Sequence, residues 1–133
     1  MSLQICIMTP DQIFLNEPAD EIILPTNTGQ VGVLANHAPL ISALDIGVMR
    51  VKIDNKWVAV YLNGGFAEVE NNELILLVNS AEKGSNIDEK TAQQDLEAAT
   101  VMVGQAVTNK EKLDATQAIR KAKARLQAAT FVD

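Results

Sequence analysis

The chain has few of the residues that usually carry chemistry. Among its 133 residues there is one cysteine and one histidine. An intrachain disulfide is therefore impossible, and a zinc site built from cysteine and histidine lacks ligands. A disulfide-stapled secreted scaffold is also excluded, and a reducing compartment is expected.

Long apolar runs and an excess of basic residues are also missing. The apolar run Leu74–Val78 is far shorter than a membrane span, and the N-terminus has neither the basic region nor the apolar run of a targeting peptide. We therefore expect no direct membrane insertion. The net charge of −6 and the pI of about 4.7 argue against nucleic acid or anionic lipid as the main partner.

The composition is otherwise that of a folded protein. Apolar residues make up 47% of the chain and charged residues 21%, which excludes wholesale disorder. The chain changes character near residue 83, because all four prolines and four of the five aromatic residues precede it. We predict a β-sandwich domain over residues 1–84 and an α-helical hairpin domain over residues 85–133.

Short apolar runs separated by turn residues predict about nine strands before residue 83, which is typical of a sandwich or barrel. One pattern supports an antiparallel sheet: Met49, Val51 and Ile53 form an apolar face opposite a mostly wet one. Leu74–Val78 is apolar on both faces, so a central or inter-sheet strand is expected. The predicted strands are Leu3–Met8, Gln12–Leu15, Glu21–Leu24, Val31–Leu34, Leu40–Leu44, Val48–Ile53, Trp57–Leu62, Phe66–Glu70 and Glu73–Asn79.

Turn residues separate these predicted strands. We place turns at Asn16–Asp20, at Asp45–Gly47 and at Asn63–Gly65, where proline, glycine, asparagine and aspartate cluster. Asp54-Asn-Lys56 is a hairpin signature. Gly64 and Gly65 are expected to meet backbone requirements, either a positive φ or a close approach between strands.

The remainder of the chain predicts two helices. It contains no proline and is rich in alanine, a strong helix former. Asn86 is a candidate N-cap for the first helix, and Thr108 with Glu111 forms a capping box for the second. A short loop between them makes an antiparallel hairpin. The apolar stripes are Ala92, Leu96, Ala99, Val103 and Ala106 on the first helix, and Ala115, Ala118, Ala122 and Ala129, flanked by Ile119 and Leu126, on the second.

Charge divides at the same place. Residues 1–82 carry 3 basic and 10 acidic side chains, whereas the remaining residues carry 8 and 7. The second helix is the most basic segment, and its face is either simply solvated or a surface for an acidic partner. The basic residues on it are Lys110, Lys112, Arg120, Lys121, Lys123 and Arg125.

No catalytic grouping is convincing. Gly29–Gly32 lacks the ending of a phosphate-binding loop, and Gly64-Gly65 has no third glycine that opens a helix. His37 is expected to be a hydrogen-bonded turn histidine, and Cys6 a core residue. From the residues alone, we predict a β-sandwich with a helical hairpin that acts as a binding or structural protein rather than as an enzyme.

Three motifs, in order, resemble the epsilon subunit of F-type ATP synthase. They are Leu24-Pro-Thr-Asn-Thr-Gly-Gln-Val-Gly-Val-Leu-Ala-Asn-His-Ala-Pro-Leu40, Asn63-Gly-Gly-Phe-Ala-Glu-Val69 and Val78-Asn-Ser-Ala-Glu-Lys-Gly84. The resemblance covers essentially the whole chain. The segment from Ala81 through Glu97 is most similar to the cyanobacterial and chloroplast versions.

The resemblance implies an α+β fold, with a two-sheet antiparallel β-sandwich followed by an antiparallel two-helix hairpin. It implies a non-catalytic subunit of the central stalk, without cofactor or metal. The partners would be the gamma subunit, the c-subunit ring and, through the C-terminal helices, the alpha/beta catalytic head. The sandwich would couple gamma to the c ring during ATP synthesis, and the helices would inhibit ATP hydrolysis. The implied location is peripheral, on the cytoplasmic or stromal face of the thylakoid membrane.

The resemblance also assigns residues. A segment facing the c ring and gamma consists of Thr26, Asn27, Thr28, Gly29, Gln30, Val31 and Gly32, with His37 near the rotor interface. An inhibitory basic face consists of Arg120, Lys121, Lys123 and Arg125. A degenerate nucleotide site consists of Ile87, Asp88, Ala92, Lys121 and Arg125. Thr91 stands where ATP-binding members carry arginine, so a bidentate phosphate donor is missing and we predict weak or no ATP binding.

Two other functions compete with the stalk assignment. A stand-alone nucleotide-sensing or binding module is weakened by Thr91. A small-ligand enzyme on a jelly-roll scaffold would need polar residues clustered inside the sheet, and the strand patterns are apolar there.

Overall fold

Two long strands dominate the computed structural model, which describes residues 2–132. They are the fifth and sixth of eight strands, and two helices follow the last strand. In chain order the elements are β1 (Leu3–Met8), β2 (Ile13–Ala19), β3 (Glu21–Thr26), β4 (Gly29–Leu34), β5 (Leu40–Ile53), β6 (Lys56–Glu70), β7 (Glu73–Val78), β8 (Ala81–Lys83), a 3₁₀ turn (Gly84–Asn86), α1 (Glu89–Gln105) and α2 (Asn109–Thr130).

The hairpin of β5 and β6 keeps one register from end to end. Leu40 pairs with Val69 at the open end, and Ile53 pairs with Lys56 beside the turn. The two turn residues, Asp54 and Asn55, have φ values of 51° and 64°. A tight turn of this kind needs two positive φ values, and its twist matches that of the flanking strands. The predicted hairpin signature is therefore confirmed.

Midway along this hairpin, each strand switches which of its two faces is buried. In β5, Leu44 is in the core at an even position, whereas Met49 and Val51 are in the core at odd positions. In β6 the same change falls between Leu62 and Ala67. The predicted turns at Asp45–Gly47 and Asn63–Gly65 are therefore wrong as chain reversals. Their residues instead mark the place where each strand exchanges its inward and outward faces.

The strands form one hydrogen-bonded sheet that folds into two layers. The order is β2-β1-β7-β6-β5-β3-β4, and β8 pairs with the first half of β6. One layer, here called layer A, contains β2, β1, β7 and the second half of β6 with the start of β5. Layer B contains β8, the first half of β6, the end of β5, β3 and β4. The predicted class, a β-sandwich followed by two helices, is confirmed.

Four further details correct the prediction. Residues 16–19 continue β2 in pairing with β1 rather than forming a turn. The short strand β8 and the 3₁₀ turn after it were not predicted. The nine predicted strands become eight, because two predicted pairs merge into β5 and β6 and β8 is added.

The main core lies between the two layers and contains no helix residue. Its members come from both layers, so closing the sandwich removes each layer's inner face from water. The largest fully buried side chains are Leu3, Ile5, Ile7, Ile22, Leu24, Met49, Leu62, Leu74, Leu76, Val33, Val51 and Val60. Cys6, in contrast, is only partly buried and points away from this core, between core residues Ile5 and Ile7.

The caps of the helices are only partly as predicted. Asp88, not Asn86, is the N-cap of α1, and its Oδ1 accepts hydrogen bonds from the backbone N–H groups of Lys90 and Thr91. Asn86 belongs to the preceding 3₁₀ turn. Thr108 caps α2 as predicted, with its Oγ1 accepting from the Glu111 N–H at 3.1 Å. The carboxylate of Glu111 accepts from Val107 rather than from Thr108 itself.

A small second cluster joins the hairpin to layer B. Ala124 and Ala128 of α2 and Ala92 of α1 pack there against Ala59 and Tyr61 of β6. Ala124 and Ala128 were not in the predicted stripe, because they face the sheet rather than α1. Alanine seams let the backbones approach closely: a Cβ at Gly84 would lie 2.1 Å from the carbonyl oxygen of Ala128.

The glycine pair in β6 has the predicted backbone role, and one member gives a stability test. Gly65 has a φ of 143°, and a Cβ there would lie 2.2 Å from the Leu77 carbonyl oxygen. We expect Gly65→Ala to lower the free energy of unfolding by about 2–4 kcal/mol in urea titration, because strain and clash add.

Gly104→Ala is the matched control. Gly104 lies in α1, and a Cβ there meets no atom within 4 Å. This substitution should raise the free energy of unfolding by about 0.5–1 kcal/mol. Equal effects of the two substitutions would contradict the close approach at Gly65.

Candidate functional site: docking surfaces

The segment predicted to face the c ring forms the turn between β3 and β4. Thr26 is buried, and its Oγ1 donates to the Gly29 carbonyl at 2.6 Å and accepts from the Thr28 N–H at 3.3 Å. Thr26 therefore shapes the turn from inside. Asn27, Thr28, Gly29 and Gln30 are exposed at the tip, Val31 is half-buried, and Gly32 is exposed.

His37 lies at the opposite end of β4. Its Nδ1 is 2.6 Å from the Ala38 carbonyl oxygen, and the neighbouring Asn36 N–H donates to the side chain of Asn72 at 2.5 Å. The six residues of β4 separate His37 from the turn by about 17 Å. The structure therefore does not join the two predicted segments into one surface. They lie at two ends of layer B, and His37 adjoins layer A.

Layer A presents an uncovered apolar surface to solvent. Strand pairing aligns two rows of outward side chains, Met8–Leu77–Phe66–Ala43 and Cys6–Ile75–Glu68–Ile41. Several of these side chains are largely exposed: Phe66 is 60%, Leu77 57% and Ile41 74% exposed. Ile13 of β2 lies beside Met8 and extends the first row. We call the surface of Met8, Ile13, Ile41, Phe66, Ile75 and Leu77 the apolar face.

The apolar face has an acidic border. Glu68 interrupts the second row, and Glu73 pairs with Glu70 across the end of β6 and β7. A contiguous apolar patch with a polar rim is typical of a protein-binding site. Sequence reasoning missed this surface, although the apolar outer positions of β7 were its signal. The prediction of a central strand was right, but Ile75 and Leu77 lie outside rather than between layers.

Two of the four residues in the predicted basic face of α2 are already ion-paired. Arg120 donates to Asp45 of β5. The guanidinium of Arg125 makes a two-pronged contact with Glu82 of β8, at 2.8 and 3.1 Å, and a third contact with Asp95 of α1 at 3.2 Å. Lys121 and Lys123 are exposed and have no carboxylate within 4 Å in residues 2–132. Within residues 2–132, this face therefore consists of two ion-paired arginines and two lysines without an ion pair.

The positions of the degenerate nucleotide site serve other purposes here. Ile87 and Ala92 are buried in the cluster beneath the hairpin, and Asp88 caps α1. The Thr91 N–H donates to Asp88, and Arg125 is held by two carboxylates. Of the predicted set, only Lys121 presents a cation without an ion pair in the described part of the chain. Weak or absent ATP binding stays a prediction, and the ion pairs of Arg125 add a reason for it.

An apolar cavity opens beside the turn of β5 and β6. Its volume is about 330 Å³, and Leu15, Val51, Ile53, Val58 and Val60 line it. Charged side chains are found among its lining residues as well: Glu17, Asp54, Lys56 and Lys83. These four are exposed, so the cavity lacks the inward-pointing polar cluster that an enzyme on a jelly-roll scaffold would need.

Residues 2–132 contain neither a cluster of metal-ligating side chains nor a membrane-spanning helix. No three histidine, cysteine, aspartate or glutamate side chains there are grouped to share a metal ion. Neither helix in that range is sufficiently long and apolar to span a bilayer.

Tyr61 is buried at the centre of the hairpin contact. Burial raises the pKa of its hydroxyl, the negative charge of Glu82 raises it further, and Arg125 opposes both. The hydrogen bond with Glu82 is the largest cause that raises the pKa of Arg125. The pKa of Tyr61 therefore depends on the ion pair between Glu82 and Arg125.

Family models match both parts of the chain. Residues 2–84 match the β-sandwich domain of the ATP synthase delta/epsilon chain, and residues 85–130 match its long α-helix domain. The chain belongs to the epsilon-chain family of F-type ATP synthase. Members of this family are non-catalytic subunits of the stalk, so the expected non-catalytic role is confirmed.

Individual relatives support the same family. The ATP synthase epsilon chain, chloroplastic, of Guillardia theta is 56% identical over 96% of this chain and 98% of its own length. The ATP synthase epsilon chain of Thermosynechococcus vestitus is 51% identical over 97% of this chain and 96% of its own. The sequence resemblance to cyanobacterial and chloroplast epsilon chains is thus confirmed.

Solved structures agree with the fold. A chain in the cryo-EM structure of Euglena gracilis mitochondrial ATP synthase superposes with a TM-score of 0.86 at 25% identity, covering 98% of this chain and 82% of that one. A chain from the central stalk and c ring of Tetrahymena thermophila mitochondrial ATP synthase superposes with a TM-score of 0.66 at 17% identity, covering 98% of each, which shows the fold alone.

The single tyrosine makes the hairpin contact measurable. We expect the tyrosinate absorbance of the folded protein to report a pKa above the ordinary tyrosine value of 10.0. Because the folded pKa is raised, the stability due to a protonated Tyr61 is complete below pH 10 and is lost as pH rises through the folded pKa. The chain unfolded in denaturant is the control, and a folded midpoint at or below its value would contradict the burial.

Proposed function

We propose that this epsilon-type chain joins the gamma subunit to the c-subunit ring in the central stalk of a proton-translocating ATP synthase, and that its C-terminal helices inhibit ATP hydrolysis. The apolar face of layer A is the observation that carries the first half of this proposal. Under this proposal the division at residues 84 and 85 separates a coupling domain from a regulatory one.

The apolar face suits a permanent partner better than a transient one. Six apolar side chains on adjacent strands remain in water in the free chain, and covering them is favourable in proportion to the apolar area removed. The face is also rigid at its centre, because β1, β7 and the second half of β6, which carry Met8, Leu77 and Phe66, are each paired to a neighbouring strand on both sides. We assign it to gamma, with His37 at its border.

The exposed tip Asn27–Gln30 is assigned to the c ring. It lies at the far end of β4 from His37, so one rigid strand can reach two partners at once. Its groups are polar and uncharged, and Gln30 is already held by a hydrogen bond from Arg50 at 3.3 Å. The contact we propose there is therefore one of hydrogen bonds and shape rather than of ion pairs.

The hairpin is assigned the inhibitory role, through the catalytic head. Its outer half carries exposed apolar side chains, among them Val101, Val107 and Leu113, that the sandwich does not cover. Its seam is largely alanine, and each buried methyl contributes only about 0.8 kcal/mol. A helix pair with such a seam can leave the sandwich and bind elsewhere at modest cost.

The proposed location follows from the relatives. The chloroplastic epsilon chains among them favour a complex of this kind at the thylakoid membrane. We propose peripheral attachment there, on the cytoplasmic or stromal face, through the c ring and gamma rather than through lipid.

The gamma contact is tested by polar substitutions in the apolar face. Phe66→Ser with Leu77→Ser should weaken binding to the isolated gamma subunit by about thirtyfold or more, since each large side chain contributes about 1.5–3 kcal/mol when buried. Binding is measured by titration of labelled subunit.

Val101→Ser with Val107→Ser is the matched control. These side chains are also exposed and apolar but lie on the hairpin. Their replacement should leave affinity for gamma within about threefold. Equal losses for both pairs would refute the assignment of the apolar face.

The inhibitory role is tested by removing residues 88–133. The main core contains no residue of this segment, so the sandwich should persist. We expect assembly and ATP synthesis to remain, whereas ATP hydrolysis by the complex should rise. Unchanged hydrolysis in the truncated complex would refute the inhibitory role without affecting the coupling role.

A further inference from the structure

In the docked hairpin, α2 makes ion pairs with carboxylates from three other elements, of which β5 and β8 belong to the sandwich and α1 to the hairpin itself. Asp45 of β5 accepts from Arg120, and Glu82 of β8 and Asp95 of α1 accept from Arg125. All three acids belong to this same chain. The buried side chains between the hairpin and the sandwich are four alanines with Tyr61 and Ile87, and larger side chains such as Leu126 and Phe131 are only partly buried there.

Two of the carboxylates are held in place by the strands that carry them. Asp45 lies where β5 exchanges its faces, and its Oδ1 also accepts from the Ile46 N–H at 2.9 Å. Glu82 lies on β8, which is paired with β6 beside Tyr61. Arg125 meets Glu82 through two parallel hydrogen bonds, the geometry in which a guanidinium binds a carboxylate most strongly.

We infer that Asp45, Glu82 and Asp95 act as an internal substitute for an acidic partner surface, so that Arg120 and Arg125 bind either their own chain or the partner. The inference rests on the proposed inhibitory role of the hairpin. It names the regulating contact: docking pairs both arginines with carboxylates, whereas Lys121 and Lys123 have no ion pair within residues 2–132. Release of the helix exchanges each intrachain carboxylate for one on the partner.

The arginines can change partners at little cost because the intrachain carboxylate and the partner's carboxylate are chemically alike. An arginine that leaves one carboxylate and reaches another keeps its charge paired, so little electrostatic energy is lost overall. Individual pairs with this degree of exposure contribute little, and salt screens them. The hairpin is therefore docked through contacts that are specific but weak.

Hydrogen exchange of the free, full-length subunit tests the docking half. Asp45→Asn with Glu82→Gln should accelerate amide exchange in α2 by about three- to thirtyfold and leave the strands of layer A unchanged. Higher salt should do the same to the wild type. Glu97→Gln is the control, because Glu97 is an exposed carboxylate of α1 with no ion pair within residues 2–132. No acceleration in the double variant would overturn the inference.

Hydrolysis by the assembled complex tests the competition half. Arg120→Gln with Arg125→Gln should also loosen α2. It should weaken the inhibition of ATP hydrolysis, because the acidic partner surface loses the two arginines that bind it. Asp45→Asn with Glu82→Gln should strengthen inhibition, because the arginines are freed. Effects of the same sign in both variants would overturn the competition. If the wild-type chain does not inhibit ATP hydrolysis, the proposed inhibitory role fails. The amide hydrogen-exchange measurement still decides whether these ion pairs hold the hairpin on the sandwich.

Discussion

The close contact between Gly65 and the Leu77 carbonyl is the constraint on which the remaining architecture depends. It lies where β6 exchanges its buried face, and the pairing partner of Gly65 in β5, Leu44, lies beside the matching exchange there. Because both strands exchange faces at the same level, one uninterrupted hairpin supplies core residues to both layers. The second half of β6 then receives β7 and the first half receives β8, which carries the carboxylate that binds Arg125.

The two apolar clusters stabilise their parts of the molecule to different degrees. Large aliphatic side chains from most of the strands fill the space between the layers, and a Leu or Ile buried there contributes about 1.5–3 kcal/mol. The cluster under the hairpin buries four alanines, Tyr61 and Ile87, and its other large side chains, Ile46, Val48, Leu126 and Phe131, are only partly buried. A stable sandwich with a weakly fixed appendage follows from this difference in side-chain size. The proposed coupling role of the sandwich and the proposed reversible role of the hairpin match that division.

Much of this fold could be predicted from the sequence, because its signals are local. Two positive φ values at Asp54-Asn55 and the cap at Thr108 each depend on a few adjacent residues. The exchange of faces could not be predicted, since Asp45–Gly47 and Asn63–Gly65 have the composition of turns and only their mutual pairing keeps them extended. The ion pairs of Arg120 and Arg125 with the strands join residues 43 to 75 positions apart, so no local pattern reveals them. The apolar face was visible only as an unexplained excess of apolar residues in β7.

The placement of the β3–β4 turn and His37 at opposite ends of β4 has a mechanical consequence. β4 is hydrogen-bonded to β3 along its whole length, and β3 is bonded in turn to β5. A force that enters at the tip and leaves at the histidine runs parallel to these strands. Sliding one strand past another would require several backbone hydrogen bonds to break together rather than in succession. The sheet is thus oriented to resist shear, which is the load that the proposed contacts with gamma and the c ring would place on it.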